Sequence, residues 1–153
     1  MKLFRTALAA SAAAGVLLVL TAPASASTTR NYHATFVEIG GAVPGGSCGS
    51  ATISELGHVS HQCVEFDACG PNCEVRTITF DDGSMLVMHE SIVGVVSPGN
   101  SSAAGANAPL FLDISQTIVG GTGRFAGASG SGTGRVNLAA NAIITASGTI
   151  TLP

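Results

Sequence analysis

Three charged residues lie at alternate positions among apolar ones and are the best candidates for chemistry in this chain. Glu38, Arg76 and Glu90 each share a predicted strand face with apolar side chains. A carboxylate that faces an apolar interior is desolvated, which raises its pKa and suits it to act as a general acid or base. The alternatives are a structural ion pair of Arg76 with Glu90 across a hairpin, or acids at strand ends in water.

The cysteines form a second group with possible chemistry, and all four lie in one window: Cys48, Cys63, Cys69 and Cys73. An even number in an exported chain indicates two disulfides, for which three pairings exist. We favour Cys48–Cys63 with Cys69–Cys73, because the Gly-Pro-Asn turn at 70–72 brings the last two together. The alternative is a metal site with His58 and His61, but the cysteine spacing is not a zinc spacing, so no metal is predicted.

The glycine-rich run at 120–135 admits two interpretations. Gly121, Gly123 and Ala126 fit a loose dinucleotide-binding pattern, which requires a helix directly after the glycines. Glycine alternates with small residues over 128–134, and each glycine inside a helix costs about 1 kcal/mol, so no helix is expected. No acidic residue follows Asp113 to bind a ribose. We therefore predict tight corners between strands and no cofactor.

Residues 1–26 have the pattern of a secretory signal peptide, with an early basic region, an apolar stretch and Ala-Ser-Ala before Ser27. Residues 27–153 then form one predicted domain without lysine, with four arginines against nine acids and a net charge of −5. Absent lysine excludes Schiff-base chemistry, and the negative charge argues against a nucleic-acid partner. No later segment is apolar for long enough to span a membrane.

In the rest of the chain, apolar and polar residues mostly alternate with a period of two. This pattern predicts strands at 31–39, 75–80, 84–93, 110–119, 135–140 and 143–152, with an Asp-Asp-Gly hairpin turn at 81–83. Residues 40–50 and 97–108 are predicted loops, and residues 44–74 a disulfide-bearing excursion. Asp113 and His89 are expected on solvent faces. Short alternating strands with glycine-rich corners favour an antiparallel sandwich or barrel.

The sequence Gly-Gly-Thr-Gly-Arg-Phe at 120–125, with the strands on both sides, resembles a signature of plant dirigent proteins and of bacterial secreted proteins of the allene oxide cyclase barrel-like group. The resemblance covers about residues 75–153. It implies an all-β, eight-stranded antiparallel barrel of calycin-like shape with a lipophilic cavity. The motif is assigned a structural role at a corner, through Gly120, Gly121, Gly123, Phe125 and Gly127.

Within this motif, Phe125 is expected to plug one end of the barrel. Arg124 is expected either to hydrogen-bond loop carbonyls or to clamp an anionic ligand at the barrel mouth.

Three functions follow as expectations. The first is an exported barrel that binds a small hydrophobic molecule. The second is an isomerase or cyclase of the allene oxide cyclase type, which requires Glu38, Arg76 or Glu90 to converge inside a cavity. The third is an extracellular interaction module with a filled interior. The plant relatives form dimers or trimers, so the resemblance also allows a homo-oligomer.

Overall fold

Eight antiparallel strands, each hydrogen-bonded to the next, form a barrel that closes between the first and last strand. The computed structural model describes residues 26–96, 111–138 and 142–153. In chain order the strands are β1 Thr28–Val43, β2 Gly46–Ile53, β3 Val59–Gly70, β4 Cys73–Phe80, β5 Met85–Val96, β6 Phe111–Gly121, β7 Ser129–Asn137 and β8 Ala142–Leu152. The predicted all-β, eight-stranded antiparallel barrel is confirmed.

Side-chain alternation explains which face of each strand points inward. Successive side chains of a strand point to opposite faces, so every second residue of a barrel strand faces the interior. On β1, β5, β6 and β8 the more apolar of the two alternating faces lies inward, and most of its described residues are buried. Buried apolar residues from these strands and β4 include Tyr32, Phe36, Ile78, Phe80, Leu86, Met88, Ile114, Ile118, Ile144 and Ile150.

The predicted loop at 40–50 and the predicted excursion at 44–74 are wrong. β1 continues to Val43, and the cysteine window contributes β2 and β3 to the barrel wall. The pairing of β3 with β4 shifts register twice, between Val59 and His61 and between Glu65 and Gly70. The glycines and cysteines masked the alternation here, although Gln62 and Val64 face inward and are fully buried.

The glycine run is only partly a corner. Its first half forms a 3₁₀ turn, Gly123–Phe125, and Gly123 and Gly127 on either side of Phe125 take positive φ, as predicted for a corner. Its second half is strand β7, so the predicted strand at 135–140 begins too late. A strand follows the glycines where a nucleotide site would need a helix.

The three inward positions Gly130, Gly132 and Gly134 of β7 carry no side chain, and groups from other strands occupy the room that side chains would need. A Cβ on Gly132 would overlap the Tyr32 hydroxyl and lie 2.7 Å from the Ser147 carbonyl oxygen. A Cβ on Gly134 would lie 3.2 Å from the Ile114 side chain. Glycine is therefore retained in this strand for space, despite its low strand propensity.

Substitution of Gly132 by alanine is expected to lower the free energy of unfolding by about 1–3 kcal/mol, because overpacking displaces Tyr32 or the β8 backbone. The matched control is Gly94→Ala in β5, where the new Cβ meets only Asp113 atoms at ordinary distances of 3.6 and 3.7 Å. Urea denaturation of both variants measures the difference. Equal stability of the two variants contradicts the packing role assigned to Gly132.

Phe125 closes one end of the barrel, as predicted. It is buried, and its ring centroid lies 4.7 Å from that of Phe80. The Arg124 guanidinium covers both rings and donates a hydrogen bond of 2.6 Å to the Leu56 carbonyl. The bonding of a loop carbonyl by Arg124 is therefore confirmed.

Both favoured disulfides are present, Cys48–Cys63 between β2 and β3 and Cys69–Cys73 across the turn from β3 to β4. The predicted signal peptide, apart from its last residue, and the predicted loop at 97–108 lie outside the described residues.

Candidate functional site

The end of the barrel opposite Phe125 contains a cavity of about 260 Å³. It lies between the end of β1, the start of β4, the end of β5, the start of β6, the end of β7 and the start of β8. Its walls are mainly apolar, and Phe66 and Leu138 at its rim are 46% and 43% exposed. The other apolar lining residues are Ile92, Leu112, Ile114, Val136, Ala142 and Ile144.

Arg76 forms the polar floor of this cavity together with the two acids predicted from the sequence. Its Nε and Nη2 donate to the two carboxylate oxygens of Glu90 at 2.9 and 2.8 Å, and Nη2 also donates to Glu38 at 2.7 Å. Nη1 donates to the Gln62 side-chain oxygen. The guanidinium lies over the Phe36 ring, 4.4 Å from its centroid. The sequence therefore identified three residues that the structure brings together.

The network continues from Glu90 to the far wall. Gln116 donates to a Glu90 oxygen at 2.6 Å and accepts a hydrogen bond of 2.8 Å from the Tyr32 hydroxyl. Burial and the nearby Glu90 carboxylate raise the pKa of Tyr32 to about 12, so Tyr32 remains a neutral donor. No buried side-chain nitrogen or oxygen among the described residues lacks a hydrogen-bond partner. Full satisfaction fixes this polar layer across the barrel interior.

The positive charge of Arg76 is balanced by the two carboxylates that it contacts. Burial alone lowers the pKa of Arg76, but the carboxylates of Glu90 and Glu38 outweigh burial and raise it above its ordinary value. Arg76 therefore stays charged at neutral pH. Four of its five N–H groups are already bonded, three of them to carboxylates.

Glu74 is the site residue that the sequence reasoning missed. It lines the cavity and stands directly opposite Glu90 in the pairing of β4 with β5. Its carboxylate has no hydrogen bond or ion pair within the described part of the chain. Burial, followed by repulsion from Glu90 and Glu38, raises its pKa to about 7. Its position two residues before Arg76, and hence on the same face, was the signal that could have revealed it.

Two more residues of the layer were also overlooked as functional. Gln116 alternates with the apolar residues of β6, so its inward direction follows from the sequence, but no role was predicted for it. Gln62 lies in the cysteine window, where no strand was predicted.

Arg124 does not contact the cavity. It lies at the closed end, where it contacts Leu56 and also pairs with Asp82, with 3.3 Å between Nε and Oδ2. The structure therefore gives no support to Arg124 as a clamp for a ligand bound in this cavity, and its role toward an anionic ligand stays a prediction. Successive connections of this barrel alternate between its two ends, so the end that a corner occupies depends on the strands before it, which the sequence motif alone does not reveal. Asp113 pairs with Arg135 on the outside, as its predicted exposure suggested.

One group of potential metal ligands exists among the described residues: Cys69, Cys73 and His89, whose ligand atoms lie within 4.8 Å of one another. Both sulfurs are joined in the disulfide, so they are not thiolate ligands in this state. His58 and His61, the histidines of the alternative metal reading, belong to no such group in the described ranges.

A pH test follows from Glu74. The folded protein holds this proton up to about pH 7, whereas the unfolded chain releases it near 4.5. The stability contributed by the protonated Glu74 is therefore fully present below about pH 4.5 and is lost as pH rises through 7. Glu74→Gln should make the protein more stable than wild type at pH 8, with the difference vanishing near pH 4. Urea unfolding of both proteins across this range measures it; a constant difference contradicts the raised pKa.

Comparison with protein-family models, with curated proteins and with solved structures finds no match to this chain in any of the three. Within the described residues, none of the helical structure has the length and apolar character needed to cross a bilayer.

Proposed function

We propose that the protein binds a small, mainly apolar molecule in the open half of its barrel. The observation that carries this proposal is the cavity of about 260 Å³ with apolar walls above a buried layer of charged residues. Ligand sites combine such walls with a few fixed polar groups that set orientation. An unfilled interior also argues against the interaction-module reading, which requires a filled barrel.

The size of the cavity limits the ligand. Binding sites commonly measure about 300–1,000 Å³, and an apolar cavity of about 150 Å³ holds benzene. A volume of about 260 Å³ therefore suits a single substituted ring or a short branched chain. The same lipophilic cavity is what the resemblance to dirigent and allene oxide cyclase barrels implies, and it supports a relationship to that group.

Export belongs to the same proposal. Two disulfides are compatible with an oxidising compartment, and the signal-like pattern of residues 1–26 indicates the route. We therefore propose that the barrel meets its ligand outside the cell.

Calorimetric titration with cyclohexylmethanol, an uncharged ring of suitable size, tests ligand binding. We expect saturable binding at one site per chain, and a loss of at least tenfold in affinity in Val136→Trp, whose indole enters the cavity. The matched control is Val119→Trp, which adds the same group at a side chain that is 47% exposed. Equal affinity in wild type and Val136→Trp contradicts binding in the cavity.

Acid–base isomerisation is the second candidate, and it rests on Glu74. A carboxyl group with a pKa of about 7 is both donor and acceptor of protons at neutral pH, which is what general acid–base catalysis needs. Glu38 and Glu90 are committed to Arg76, so we assign them to positioning and charge balance and give the proton-transfer role to Glu74.

Exchange of the α-hydrogens of cyclohexanone in heavy water, followed by proton NMR, tests this activity. An isomerase should accelerate exchange over buffer by about 10²–10⁴-fold, and Glu74→Gln should remove the acceleration. Exchange at the buffer rate with wild-type protein contradicts catalysis but leaves ligand binding intact.

A further inference from the structure

We infer that the cavity selects ligands that carry one positive charge, namely protonated amines on a small apolar body, over alcohols and carboxylates of the same shape. This inference rests on the proposed binding function and adds the chemical class of the ligand. It is carried by the excess of carboxylates over cations at the cavity floor and by the unpaired position of Glu74.

The charges of the site do not balance. Glu38, Glu74 and Glu90 line the cavity together with a single cation, Arg76. Because Glu90 and Glu38 already neutralise Arg76 through three hydrogen bonds, the guanidinium has little capacity to receive an anionic ligand. Glu38 and Glu90 outnumber Arg76 even when Glu74 is protonated, so the floor is negative at neutral pH.

No other described cation corrects this excess. Arg124 and Arg135 pair with Asp82 and Asp113 away from the cavity. Arg30 lies opposite Ile150 near the closed end, at the beginning of β1. The remaining charged neighbour of Glu74 is Asp67 on β3, which is also acidic.

Glu74 is placed to receive the missing cation. Like charges directly opposite each other on paired strands repel, and Glu74 stands opposite Glu90 on β5. A ligand ammonium between Glu74 and the Arg76–Glu90 pair would replace this repulsion with a charge-assisted hydrogen bond. The apolar body of the ligand would then pack against Ile114, Val136 and Ile144 above it.

Binding of a cation should depend on pH through the groups that face Glu74, which are Arg76 on its own strand, Glu90 on β5, Glu38 on β1 and Asp67 on β3. An ammonium favours the ionised form of Glu74 and lowers its pKa, so affinity for the amine rises as pH increases through about 7. A primary alkylamine with a pKa of about 10.4 remains charged throughout this range.

The experiment compares cyclohexylmethylamine, cyclohexylmethanol and cyclohexanecarboxylate by calorimetry at pH 6 and pH 8. We expect the amine to bind at least tenfold more tightly than the alcohol at pH 8, with a smaller advantage at pH 6, and the carboxylate to bind most weakly. Glu74→Gln should reduce the advantage of the amine and remove its pH dependence. Glu65→Gln is the matched control, since it makes the same charge change at an exposed position.

The possible failures are distinct. If the alcohol binds but the amine has no advantage, or the carboxylate binds best, the charge preference is wrong and cavity binding stands. If the amine advantage survives in Glu74→Gln and falls in Glu65→Gln, it arises from general surface charge and the inference is overturned. If no probe binds, the proposed function fails and this inference fails with it.

Discussion

Replacement of Arg76 by methionine is expected to lower the free energy of unfolding at pH 7 by about 3–5 kcal/mol, because removal of one partner from a buried ion pair leaves the other charge uncompensated. Arg76 is 1% exposed, and its loss would leave Glu38 and Glu90 buried without a cation. Gln62 would also lose its donor. Urea denaturation monitored by circular dichroism measures the change.

A combined variant separates charge from packing. Arg76→Met with Glu38→Gln and Glu90→Gln removes the charges together, so it should recover most of the lost stability. Arg30→Met, at an exposed position, should change stability by less than about 0.5 kcal/mol. If the combined variant is no more stable than Arg76→Met alone, shape rather than charge balance governs the polar layer.

Replacement of Phe125 by alanine is expected to cost about 3–5 kcal/mol, since truncation of a buried aromatic side chain loses its burial and leaves a cavity. Phe125 is 1% exposed at the closed end, packs against Phe80 and is covered by Arg124. The change opens the barrel beneath the 3₁₀ turn and should expose the hydrophobic interior to water.

The control for Phe125 is Phe66→Ala at the opposite rim, where the ring is 46% exposed, so a clearly smaller loss is expected. Thermal and urea unfolding of both variants provide the comparison. A loss at Phe125 no larger than at Phe66 contradicts its role as the plug of the closed end.

Most of what could be predicted about this barrel came from the alternation of apolar and polar residues along its strands. Where one face is apolar, a period of two fixes both the strand and the inward direction, and this identified Glu38, Arg76 and Glu90 as interior groups. The contact of Arg76 with Glu90 follows from the pairing of neighbouring strands, whereas Glu38 on β1 meets Arg76 on β4 across the barrel interior. β4 and β5 pair Arg76 with Met88, which puts Glu90 one inward position away.

The remaining features depend on which residues of other strands meet inside the barrel, and the residue pattern along one strand does not reveal this. In the sequence, Gly132 suggests a turn. In the structure it lies in a strand, and glycine is needed there because Tyr32 and Gln116 meet at that point inside the barrel. Glu74 precedes a clear strand pattern and follows a cysteine, so its inward direction was not recognised. The end of the barrel occupied by Arg124 depends on the pairing of all the strands.

The most direct test of the account is the location of a bound ligand. Intermolecular nuclear Overhauser effects should be measured between the ring protons of cyclohexylmethylamine and the methyl groups of the protein at pH 8. Binding in the open half of the barrel predicts contacts with Ile114, Val136 and Ile144, and none with the outward side chains of Val93 and Val119. Contacts restricted to Val93, Val119 or other outward methyl groups would contradict the assignment of the cavity as the binding site.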